Sequence, residues 1–258
     1  MKIENFRKYF GEWFELFKPF LESEEFENII NELRSRTNRG KIIFPYSSTL
    51  QAKCINWKNP QNCIFKCFEL TPPDKLKVIL LGLSPYYTVK NGKPIADGLA
   101  FSTQDKDLPP SLNVLYKALE DDLYPSNSNI IKNPNLSYLA EQGVLLLNIA
   151  LTCEPQMATV HVDIWKPFIM YFIKLLNEQF SDIHIVMFGE EAQFYKKYIN
   201  QHSLGGFKFN NHHYLYLENH PAYYARNEAN MSTNCFSQIQ QLTGNVINWM
   251  QIKENKEL

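Results

Sequence analysis

The chain has 258 residues, 45% hydrophobic and 21% charged, enough apolar material for one well-packed domain and far from a disordered composition. With 26 basic and 27 acidic residues the net charge is −1, which excludes a uniformly basic nucleic-acid binder but leaves room for a local basic face. No N-terminal apolar core with a cleavage site and no run of roughly 18 to 20 apolar residues is present, so a soluble, cytoplasmic protein without a membrane partner is expected.

In chain order, Phe6, Tyr9, Phe10, Trp13, Phe14 and Phe17 recur at three- and four-residue spacing. Residues 3–20 therefore read as one amphipathic helix with an aromatic stripe suited to core packing. A second helix is expected over 24–36. The 5 cysteines lack a dense framework and point to reduced thiols. Cys63 and Cys67 can be read with Cys54 as part of a metal site, or as small buried hydrophobes. The irregular spacing and missing fourth ligand favour the second. Four strand-length apolar runs follow: Lys77 to Leu81, Val144 to Asn148, His184 to Phe188 and Tyr214 to Glu218. Helical patterns separate or follow them at Leu112 to Leu123, Asp163 to Leu176, Glu190 to Asn200 and Asn230 to Met250. The order is β-α-β-α, so the fold class is α/β, with a central four-stranded parallel sheet flanked by helices. No repeat or low-complexity linker divides the chain. A single domain over 1–258 is expected, with residues 1–42 an N-terminal helical extension packed on it. In such a sheet ligands bind beyond the carboxyl ends of the strands. Gly82 to Tyr87, Asn148, Gly189 and His220 all follow strand ends and should converge on one face.

Five short motifs lie along this frame: Gly82-Leu-Ser-Pro-Tyr-Tyr87, Gly98-Leu-Ala-Phe-Ser102, Pro109-Pro-Ser-Leu112, Leu145-Leu-Leu-Asn148 and His220-Pro-Ala-Tyr-Tyr224. Together, in this order, they resemble the first family of uracil-DNA glycosylases, with secondary matches from about Ile43 to Ser237, including Gly143 and Trp165. That family flips a uracil nucleotide out of DNA and hydrolyses its N-glycosidic bond. The resemblance implies a uracil-binding set of Leu83, Tyr86, Phe101 and Asn148. Phe101 would stack on the base, and Tyr86 would press on its C5 edge to reject thymine. The Asn148 amide offers the donor and acceptor that match uracil O4 and N3. His220 would donate to uracil O2 as the base leaves with negative charge. For DNA grip, Pro110 and Ser111 match a phosphate-holding loop; Ser111 is equally a helix cap. The partner implied is uracil-containing DNA, single- or double-stranded, together with a replication or repair protein. No cofactor or metal is implied, because the reaction is a hydrolysis.

The chain departs from the family pattern at four positions. Ser84 stands where the family carries the Asp that orients water and stabilises the cationic sugar, and Tyr87 replaces a His. Ala222 replaces a phosphate-contacting Ser, and Tyr224 aligns with the Leu that wedges into the base stack. Asp97, at the end of a lengthened Thr88 to Ala96 loop, is either a displaced acid that substitutes for the missing one or an ordinary turn residue before Gly98. The first functional expectation is a slowed uracil-DNA glycosylase acting in base-excision repair. The second is a non-cutting uracil or DNA reader that recruits other proteins, with the N-terminal aromatic helix as docking surface. A glycosylase for another base is a third reading, which Tyr86 and Asn148 disfavour. High Asn, Lys, Ile, Phe and Tyr content suggests an AT-rich genome, hence the cytoplasm of a bacterial or virus-infected cell.

Overall fold

In the computed structural model, the described residues are 3–40, 43, 45, 64–91, 93–125, 129–201 and 211–252. The helices are α1 (Arg7–Phe10), α2 (Phe14–Leu21), α3 (Glu24–Asn38), α4 (Lys66–Leu70), α5 (Pro110–Leu123), α6 (Ser137–Ala140), α7 (Val162–Gln179), α8 (Glu190–Gln193), α9 (Pro221–Arg226) and α10 (Cys235–Leu242). The strands are β1 (Val78–Gly82), β2 (Val89–Lys90), β3 (Lys93–Pro94), β4 (Ile130–Ile131), β5 (Val144–Asn148), β6 (His184–Phe188), β7 (Tyr214–Glu218) and β8 (Gln251–Ile252).

The central sheet has the order β5-β1-β6-β7 and every pair in it is parallel. β1, β5 and β6 are buried along their whole length, which is why they read as continuous apolar runs rather than alternating ones. β7 is the edge strand and is only partly covered. The chain leaves β1 towards β5 and then crosses to the other side for β6, so β1 lies where the order reverses, the usual location of a ligand crevice. Gly82 pairs with Asn148 at the carboxyl end of this seam.

The aromatic stripe of the N-terminus is core. Phe10, Trp13, Phe14 and Phe17 are 0% exposed. Phe17 stacks on Phe168 of α7 at 5.1 Å, and Phe10 meets Phe65 and Phe68 at 4.4 and 5.5 Å. Fully burying one such ring stabilises the fold by about 1.5–3 kcal/mol. The stripe therefore presents no docking surface, contrary to that alternative. Nor is it one helix. The segment breaks into α1, a 3-10 turn and α2, because Gly11 adopts φ 52°, a conformation open to glycine that ends the first helix. α3 begins on a capping bond from the Phe26 amide to the Ser23 hydroxyl and is tied to the site's scaffold by Arg36, whose guanidinium meets Glu154 at 2.8 Å.

Two other helices are shorter than their patterns. The Glu190 to Asn200 pattern becomes α8 followed by a 3-10 turn at Phe194–Tyr198. The Asn230 to Met250 pattern yields only α10, which stops just before Gly244 at φ 72°. Beyond it, β8 pairs antiparallel with β4. Cys54 and Cys63 lie outside the described residues, and Cys67 is buried in the core.

Candidate functional site

The carboxyl ends of β1, β5, β6 and β7 carry one connected group of side chains. At its floor is Gly82. A Cβ built there would lie 2.6 Å from Asn148 Oδ1 and 3.3 Å from the Phe101 ring, so this strand end needs a residue without a side chain for Asn148 and Phe101 to approach. Asn148 and Phe101 are each 7% exposed. Backbone bonds weld the surrounding loops to the sheet: Ile149 N to Gly82 O at 3.0 Å, Ala150 N to Leu83 O at 2.9 Å and Ala100 N to Leu146 O at 3.0 Å. Phe101 holds φ 64°, a strained conformation for an aromatic residue. Its ring meets Phe188 edge-on at 5.0 Å and His220 at 5.7 Å.

His220 is the N-cap of α9, and its Nδ1 accepts the Ala222 amide at 3.1 Å. With Nδ1 occupied as an acceptor, the neutral ring carries its proton on Nε2 and can donate from there. Burial pushes the imidazole down to about 4. Glu191 opposes this and Arg226 adds to it. Gly189, at φ 88°, makes room for the packing, since a Cβ there would lie 3.2 Å from His220 Cβ and 3.7 Å from Glu191 Oε2. Glu191 was missed in the sequence. Its signal was a carboxylate two residues past a strand-end glycine.

Tyr86 is held by its hydroxyl, which donates to Phe101 O at 3.2 Å and lies 2.9 Å from Ser111 Oγ. Burial pushes its phenol well above the ordinary range, so it stays neutral. Ser111 does not cap α5. Pro109 is the N-cap, with no side-chain capping bond, which places Ser111 one position beyond Pro110, with its hydroxyl turned to Tyr86. Pro110 is exposed at the start of the helix.

Leu83 and Ser84 are half-buried and Tyr87 is 40% exposed. Ser84 lies beside the thiol of Cys153, which donates to Pro85 O at 3.2 Å and is pushed up to about 12 by burial. Asp97 is 1% exposed. Its Oδ1 accepts from Leu99 N at 3.1 Å, and its Oδ2 accepts from Ser102 Oγ at 2.7 Å and Lys66 Nζ at 3.2 Å. Both oxygens are committed, which is the behaviour of the turn residue and not of a free base. Behind Cys153, Glu154 is gripped by Arg36 and by His161 at 3.3 Å, and His161 meets Thr152, which accepts from Trp165.

On α9, Ala222 follows the His-Pro pair. Tyr224 is half-buried and lines a cavity of about 340 Å³ with Pro110, Asn113 and Lys117. Tyr223 is 51% exposed and stands edge-on to Tyr224 at 5.4 Å. The exposed ring of this pair is thus the neighbour of the one that sequence comparison singled out.

The family model of the uracil DNA glycosylase superfamily matches residues 68–242, more than half the chain and the span that carries Gly82, Ser84, Tyr86, Phe101, Asn148 and His220. The chain belongs to the uracil-DNA glycosylase superfamily. Relatives within it include the uracil-DNA glycosylase of Streptococcus pyogenes serotype M49 (strain NZ131), 32% identical over 212 residues, 81% of this chain and 82% of that one. That of Mycoplasmopsis pulmonis (strain UAB CTIP) is 32% identical over 251 residues, 95% and 93% of the two chains. Among solved structures, mimivirus uracil-DNA glycosylase matches with a TM-score of 0.65 at 25% identity, covering 81% of this chain and 68% of that one. Members thus align across the sheet, α5, α7 and α9, which are the elements that assemble the cleft. No helix among the described residues is long and apolar enough to cross a membrane.

Proposed function

We propose that this protein excises uracil from DNA by hydrolysing the N-glycosidic bond, chiefly by stabilising the departing base and with only weak activation of the water. The observation that carries this reading is His220. Its Nδ1 is fixed by the Ala222 amide and its charge is suppressed, so a neutral Nε2–H donor is available to an anion forming beside Phe101. As the bond from C1′ to N1 breaks, the electron pair moves into the pyrimidine, and negative charge collects on O2 within reach of that donor. Asn148 reads the opposite edge and Phe101 supplies the stacking face. Leu83 and Tyr86 border the base. Water then adds to the cationic C1′ and loses a proton to solvent.

Ser84 is uncharged and can only hold that water. Losing a general base costs about 10² to 10⁴ in rate, while enzymes commonly accelerate reactions by about 10⁶ or more, so leaving-group stabilisation alone sustains slow excision. Pro110, Ser111, Ala222 and the Tyr223–Tyr224 pair border the strand that enters. Ala222 lacks the hydroxyl that would hold a phosphate, and a tyrosine ring fills the place vacated in the stack. Residues 3–38 belong to the same domain on this reading, since their aromatic rings pack on α7, which also carries Trp165.

The test is single-turnover release of uracil from a deoxyuridine-containing single strand, scored as alkali-labile breaks. Breaks that vanish in His220→Ala are expected; equal breaks in that variant would overturn the reading. The second reading, a protein that binds uracil-containing DNA without cutting it, is favoured by one observation. Ser84 lies beside Cys153 and, among the described residues, the buried carboxylates Asp97 and Glu154 are both engaged by other groups. Binding without any breaks would select it.

A further inference from the structure

With a net charge of −1, grip on DNA must come from local groups. Most paired lysines are neutralised: Lys90 lies between Asp105 and Asp107, Lys66 is on Asp97 and Lys132 is on Glu120. Lys166 and Lys197 differ. Among the described residues neither meets a carboxylate, and both instead rest on one aromatic ring. Lys197 Nζ is 4.4 Å and Lys166 Nζ 5.2 Å from the centroid of Phe194. Phe194 is 42% exposed and is braced edge-on by buried Tyr195 at 5.3 Å and at a tilt by Tyr198 at 5.9 Å. A singly exposed ring is ordinary on a protein surface; what sets Phe194 apart is the pair of ammonium groups resting on it.

The placement follows from the topology. Phe194 comes directly after α8, whose four residues rise about 6 Å from Gly189, and Gly189 touches His220. Lys166 is in the first turns of α7, which starts from the loop beyond β5. Both therefore sit on the carboxyl edge of the sheet, beside the cleft. Glu191 has its carboxylate against Gly189 and His220, and Asp163, which lies near Tyr195, forms no ion pair with either lysine among the described residues.

We propose that Phe194, Lys166 and Lys197 form a subsite for one flank of the uracil-bearing strand. One unpaired base stacks on the Phe194 ring, and the two ammonium groups swing on their flexible stems from the ring to the adjacent phosphates. The cation–π contacts hold the lysines in place until a nucleotide displaces them. The placement of the strand rests on the pocket assigned above, but the binding chemistry does not.

The test uses three single-stranded deoxyuridine oligomers: a trinucleotide, and two longer ones extended on only the 5′ or only the 3′ side by about eight nucleotides, the scale of a single-strand site. Uracil-free strands of the same lengths are run beside them. In Lys166→Ala/Lys197→Ala the Kd rises about tenfold for one of the extended oligomers, and the slope of log K against log salt falls by about 1.4, the share of two phosphates. Phe194→Ala weakens the same oligomer about fivefold with the slope unchanged, as expected for lost stacking. Lys166→Arg/Lys197→Arg retains binding, and the trinucleotide is unaffected throughout. No change in any oligomer, equal loss on all three, or no DNA binding by the unmodified protein would overturn the proposal. Because binding is read on uracil-free strands as well, failure of the glycosylase reading appears separately, as absent or His220-independent breaks.

Discussion

On one side of the cleft Gly82, Asn148, Phe101 and His220 touch one another and are fixed by sheet ends and backbone bonds. On the other, Ser84 and Ala222 offer only a hydroxyl and a methyl group where the resemblance implies a carboxylate and a hydroxyl. The first side is constrained by packing, since a change at any member displaces the next. The second is only half-buried and, on the proposed reading, borders the sugar-phosphate chain, where substitution would act on rate more than on folding. On the proposed reading, the contrast makes recognition of the base and acceleration of its removal separable, resting on different residues that meet at His220.

The largest effect should come from the member shared by both sides. His220→Ala is expected to lower uracil release by about 10² to 10³, the usual scale for one oxyanion-type donor, with DNA affinity changed only severalfold; rapid-quench assays and a binding titration would check it. Behind the cleft, Glu154→Ala should destabilise the fold by about 1–3 kcal/mol, because it removes a buried partner of His161 and one of the two carboxylates that hold Arg36. A denaturant midpoint close to that of the unmodified protein would show that the Arg36–Glu154 tie is dispensable. Replacing Tyr223 with Ala should weaken duplex substrates by about tenfold through lost stacking and leave single strands nearly unchanged. Equal loss on both would place the ring in the pocket instead.

The smallest expected effect is on pH. His220 is depressed to about 4 by burial, below its ordinary value near 6.5. Between these two values the unfolded chain binds the extra proton and the folded one does not. This contribution therefore favours the folded state less as pH falls from about 6.5 towards 4, and is fully present above that window. Excision should stay flat from neutral pH down to about 5.5 and drop only near 4, where protonation of Nδ1 puts an N–H against the Ala222 amide. A midpoint near 6.5 would show a solvated His220.

Much of this was legible from sequence because it is set by period and punctuation. Unbroken apolar runs gave the buried parallel strands, with β5, β6 and β7 falling where the runs do. The convergence of Gly82, Asn148, Gly189 and His220 followed from strand ends alone. What escaped depended on tertiary geometry. Gly11 breaks the N-terminal helix through a backbone angle that the aromatic spacing conceals. Gly244 ends α10, although apolar spacing continues through Ile247 and Met250. Asp97 could be read as a free acid until its bonds to Ser102, Leu99 and Lys66 were visible. The choice between Tyr223 and Tyr224 could not be made from alignment, because neighbouring helix residues point in different directions and only packing against α5 decides which ring stays outside.

The most direct test of the central claim is single-turnover uracil release by the unmodified protein beside Ser84→Asp and His220→Ala. The account predicts slow release from the unmodified chain, release accelerated by about 10² or more when a carboxylate is restored at Ser84, and near abolition in His220→Ala. Ser84→Asp without acceleration, while the protein still binds uracil-containing DNA and remains folded, would contradict the view that the two sides of the cleft are separable.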